Sequence, residues 1–133
     1  MKKLSIWTLV LFSLSLLAVA QEEQKVPAGI SIAFRSGNAV GLSAYLNNTV
    51  EILLLDKEDF YSKSVAESIL KDFFSKYRTR EFTIKHQSAK NDAQYAIASL
   101  VTDKGSFRVY FLLKKIDGAP LIHQIRIEPD NER

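Results

Sequence analysis

Asp117-Gly118 stands between two runs rich in β-branched and aromatic residues, Phe107–Ile116 and Ala119–Glu128. Asp-Gly in this setting marks a tight β-hairpin, because a type I′ turn needs positive φ at both central residues. Two further turn signals precede it, Asn91-Asp92 and Asp103-Lys104-Gly105. The second fits a three-residue loop with its glycine in the left-handed region. The stretch from Arg80 to Glu128 therefore reads as four long strands in an antiparallel meander, and the rest of the chain must fold against it.

Most of these strands alternate. Phe82, Ile84 and His86 are in phase, as are Phe107, Val109, Phe111 and Leu113, and then Leu121, His123, Ile125 and Ile127. The run Gln94–Thr102 is apolar on both faces, so its parity stays open. One covered and one wetter face is the pattern of an antiparallel sheet with helices on one side. Pro129 stops the last strand.

Upstream, Val26-Pro27 opens a first helix, with proline at a position that loses no useful hydrogen bond. Ser36-Gly37-Asn38 breaks it, and Asn38 suits the N-cap of a second short helix that ends at Asn47-Asn48. Thr49–Leu55 reads as a covered strand, and Asp56–Asp59 as a polar loop. A third helix is expected over Phe60–Tyr77, with Ser64 and Glu67 as a capping box and Ser62 as the rival N-cap. Val65, Ile69 and Phe73 form one line on it, with Ala66, Leu70 and Tyr77 beside them, a wide stripe made to lie on a sheet.

Residues 1–20 stand apart from this domain. Lys2 and Lys3 precede an apolar run from Leu4 to Leu17, and Ala18-Val19-Ala20 gives a small-x-small cleavage site before Gln21. This is the pattern of a secretory signal peptide, with a membrane anchor as the rival reading. Residues 21–25 read as a flexible tether and 26–133 as one domain. With no cysteine in the chain, lipidation at the cleavage point and structural disulfides are both excluded. Without the leader's two lysines, 16 basic residues face 15 acidic ones, a net charge of +1. That balance gives no footprint for nucleic acid. The expected location is the periplasm, with no stable membrane anchor after cleavage.

The order helix, helix, strand, helix and four antiparallel strands resembles the nuclear transport factor 2-like fold, the cystatin-like α+β cone. Ser36-Gly37-Asn38, Leu42 and Tyr45-Leu46 carry the resemblance. So do Tyr61-Ser62 with Ala66, Leu70 and Phe73-Phe74, then Phe107–Tyr110 and Ile125–Glu128. More narrowly, the chain is similar to small exported proteins of unknown function common in the Bacteroidetes. The resemblance implies that the first strand pairs with the last, in the sheet order 1-5-4-3-2, around a cone whose interior can hold a ligand. In enzymes of this fold that interior holds an Asp or His acid/base.

The candidate pocket-lining residues on this reading are Tyr45, His86, Phe107, Phe111 and His123. Neither histidine has a carboxylate partner at motif spacing. Asp56, Glu58 and Asp59 fail the calcium-loop pattern and read as acids favouring a helix N-terminus. Lys76, Arg78 and Arg80 read as cations at a helix C-terminus. No cofactor motif or metal-ligand set is present, and no catalytic residue is assigned. The chain reads as an exported binding or interaction module, with a histidine-based isomerase, cyclase or hydrolase as the alternative. Its expected partner is a small molecule or an envelope protein, with the edge strand Arg80–Lys90 available for pairing with a partner; a homodimer is a further expectation.

Overall fold

The computed structural model describes residues 25–131. The expected leader, residues 1–20, and most of the tether lie outside them. Helix α1 spans Ala28–Ser36 and α2 spans Ala39–Ser43. Gly37 separates them at φ 61, where a side chain would be strained, and Asn38 Oδ1 accepts from the N–H of Gly41 at 2.9 Å. Both features of the break are therefore local chemistry legible in Ser36-Gly37-Asn38.

Six strands follow in one sheet. They are β1 Leu46–Leu54, β2 Lys57–Ser62, β3 Thr79–Lys90, β4 Ala93–Thr102, β5 Gly105–Ile116 and β6 Ala119–Pro129, with α3, Lys63–Lys76, between β2 and β3. The order across the sheet is β2-β1-β6-β5-β4-β3. The expected pairing of the first strand with the last is present and runs parallel; the other four pairings are antiparallel.

The N-terminal half corrects several expectations. Residues 57–62 are neither loop nor helix, and only Asp56 of the expected polar loop remains in a turn, with Leu55. Lys57–Ser62 folds back on β1, so that Val50 faces Tyr61 and Leu54 faces Lys57. The helix begins only at Lys63, with Ser62 Oγ accepting from the N–H of Val65 at 3.4 Å. Ser62 is thus the N-cap rather than Ser64, and Asp56, Glu58 and Asp59 belong to a hairpin instead of a helix N-terminus. Asn47 and Asn48 lie inside β1 instead of ending a helix. At the β4–β5 turn Thr102 pairs with Gly105, leaving a two-residue loop, Asp103-Lys104. Thr102 Oγ1 holds that loop, accepting from the N–H of Lys104 at 3.1 Å.

The core lies between the helices and the inner face of the sheet. β4, whose parity the sequence left open, turns Gln94, Ala96, Ala98, Leu100 and Thr102 inward. Phe34 of α1 stacks on Phe82 at 4.5 Å and on Phe111 at 6.2 Å between ring centroids. Phe73 of α3 meets Phe107 edge-on at 5.4 Å. These rings fill the space between helices and sheet, each fully or almost fully buried. Such aromatic pairs contribute about 0.5–1.5 kcal/mol each beyond their buried area.

Candidate functional site

The two histidines do not occupy the cone. Strand β3 carries an extra residue at Lys85: Ile84 faces Ala98 and His86 faces Ile97. One added residue reverses the parity of everything beyond it. His86 therefore leaves the face of Phe82 and is exposed, with Nε2 3.2 Å from the hydroxyl of Tyr95.

A second bulge displaces His123. Leu112 faces Gln124 and Leu113 faces Ile122, so His123 is the unpaired residue between them. Ile122, not His123, joins Ile125 and Ile127 in the core. His123 is half-buried, with Nδ1 3.5 Å from Asn47 Nδ2. Its Nε2 is shielded from solvent and has no hydrogen-bond partner. Burial first, and then the charge of Lys114, push the imidazole below its ordinary value of 6.5.

The other candidates are equally dispersed. Tyr45 lies over α1 so closely that a Cβ at Gly29 would collide with its hydroxyl oxygen. Phe111 is fully buried against Phe34, and Phe107 is core with one edge on a surface recess. Phe73 and Phe74 are also core. Among the described residues no group of three or more His, Cys, Asp or Glu side chains is placed to hold a metal ion.

Among the described residues, three recesses stand out. One lies on the outer face of the sheet, about 380 Å³, lined by Arg108, Tyr110, Gln124, Arg126 and Glu128. Its polar groups are largely engaged with one another or their neighbours. Arg126 Nε donates to Glu128 at 3.2 Å, and Gln124 donates to Glu51 at 3.0 Å. A second, wide and open at about 760 Å³, lies where β5 begins and β6 ends, and includes Leu55, Tyr77, Lys104 and Phe107.

The third is the candidate site, a cleft of about 370 Å³ between α3 and the β1–β2 hairpin. Ile52, Leu54 and Leu55 form one wall, Tyr61 another, and Val65 and Ile69 of α3 the third, with Lys57, Ser68 and Asp72 at the rim. Sequence reasoning placed Val65 and Ile69 in the core stripe. Only Ala66, Leu70, Phe73 and Phe74 of α3 are buried, and Val65 is 47% exposed. The stripe is wider than the surface available to cover it, and its uncovered half faces the cleft. The sequence marks residues 57–62 as loop and helix and so offers no wall opposite Val65. Phe60-Tyr61, two good strand formers, was the signal available.

The comparisons with known proteins agree with this architecture. A crystal structure from Bacteroides ovatus is 34% identical, covers 83% of this chain and 100% of its own, and superposes with a TM-score of 0.79. Two more distant structures show the fold alone. A protein of the Rd1NTF2 series is 16% identical, with a TM-score of 0.61 over 75% of this chain and 90% of its own. A cystatin-like domain of unknown function from Nostoc punctiforme is 11% identical, with a TM-score of 0.65 over 79% and 73%. The fold is thus the expected nuclear transport factor 2-like, cystatin-like α+β architecture, with an added edge strand. No curated protein matches. The Bacteroides ovatus structure is that of a DUF4783 protein, and the model of that domain of unknown function matches residues 27–128, so the chain belongs to the DUF4783 family.

Proposed function

We propose that the protein is an exported, non-catalytic binding module whose cleft between α3 and the β1–β2 hairpin receives a small apolar ligand. The observation that carries this is the set of apolar side chains around one concavity at the margin of the core, with Val65 47% exposed. Binding sites are commonly concave and mostly apolar, with a few polar groups at fixed places. Export rests on the leader pattern of residues 1–20.

A histidine acid/base enzyme is the rival. It needs a general base and a partner converging on one reacting atom. His86 meets Tyr95 on the outer face, and His123 meets Asn47 at a bulge two strands away from β4, so the two rings serve no common space. The test is titration with the apolar dye Nile red, comparing the parent with Val65→Gln/Ile69→Gln. Saturable dye binding lost in the variant, with its melting transition retained, supports the cleft. Equal binding by both proteins would sink it. Native mass spectrometry of protein taken from the periplasm should show a retained small molecule.

A further inference from the structure

The cleft has an asymmetry of charge that its apolar walls do not explain. Its two charged lining residues are Lys57 and Asp72. Asp72 is engaged by Lys76 of its own helix at 3.1 Å. Asp59, the next residue on the Lys57 face of β2, has its carboxylate on the N–H of Phe60 at 2.8 Å. Asp56 lines the neighbouring recess and not this one. Lys57 is therefore the charge at the rim with no ion-pair partner among the described residues.

A second observation comes from the backbone. Three hairpins here turn with positive φ at the first loop residue: Leu55 at 62, Asn91 at 57 and Asp117 at 52. Asn and Asp are the residues that tolerate this conformation, whereas leucine is strained in it. A turn needing only its geometry would carry one of them at residue 55 as well. The leucine is held in an unfavourable conformation at a position that lines both the cleft and the wider recess beyond. Strain kept at one position while two equivalent turns avoid it points to a working site.

We propose that this cleft binds a free amphiphile with one unbranched apolar chain and an anionic head. The chain lies against Ile52, Leu54, Leu55, Tyr61, Val65 and Ile69, and the head meets the ammonium of Lys57. This deepens the binding reading above and rests on it. Apolar burial supplies the affinity, and the single rim charge supplies the choice of head group.

The experiment is calorimetric titration of the protein, residues 21–133, with decanoate, decan-1-ol and decyltrimethylammonium, each kept below its aggregation threshold. Decanoate is expected to bind at one site, at least tenfold more tightly than the decyl cation, with the alcohol between. Lys57→Glu should abolish or invert that order, and Leu55→Asn should weaken all three. If alcohol and decanoate bind equally and Lys57→Glu changes nothing, the head-group assignment is wrong while the apolar cleft stands. If none of the probes binds and Nile red does not saturate, the binding reading itself fails. Binding to anionic phospholipid vesicles without binding of free decanoate would overturn the proposal in favour of a membrane surface.

Discussion

The backbone N–H of Leu55 donates to the carbonyl of Ile127 at 2.8 Å. This bond extends the parallel β1–β6 pairing by one residue beyond Leu54, which itself faces Ile127. The chain then turns at Leu55 with φ 62. The central strand of the sheet thereby fixes where the edge hairpin turns. The turn conformation is imposed by the sheet and not by the residue's own preference.

That relationship predicts an inverted order of substitutions. Leu55→Asn suits the positive φ and should change stability by less than about 1 kcal/mol, the lost apolar contact being offset by relieved strain. Leu55→Val keeps an apolar side chain but is β-branched, and should cost about 1–3 kcal/mol at this φ. Chemical denaturation of both variants decides it; valine tolerated as well as asparagine would show that the turn is not strained.

Phe73 is 2% exposed and packs on Phe74, Tyr77 and Phe107. Its sheet partner is Phe107, while Phe111 stacks on Phe34. Phe73→Ala should cost about 3–5 kcal/mol. A loss below about 1 kcal/mol in denaturant melts would remove Phe73 from the core.

His123 makes stability depend on pH in a stated direction. Its imidazole is held below the ordinary value of 6.5 by burial and by Lys114, so the folded state disfavours the proton that the unfolded chain accepts. Its contribution is present when the ring is neutral, above 6.5, and is lost as the pH falls from there through the lowered folded value. Melting curves across that range should fall less steeply for His123→Gln than for the parent. Parallel curves would mean the ring is not desolvated.

If residues 1–20 are a cleaved leader, the exported protein begins at Gln21. Intact mass of protein recovered from the periplasm measures this directly. A mass that includes the N-terminal segment would make it an anchor.

The parts of the fold legible in the sequence are those whose causes are local. Asn91-Asp92 and Asp117-Gly118 specify turns, and the alternating strands between them specify a covered face, so the meander β3–β6 is legible without any distant contact. The same holds for the break at Gly37-Asn38. Which way the histidines face is set by tertiary pairing, because the bulges at Lys85 and His123 exist through pairing with β4 and β5. Register belongs to the pair of strands, and one unpaired residue reverses every side chain beyond it. Tertiary pairing also sets the cleft. Lys57–Ser62 has no strand periodicity of its own and becomes a strand by hydrogen bonding to β1. Once that edge is added, α3 presents more apolar surface than the sheet beneath it covers, and Val65 and Ile69 are left facing an open concavity.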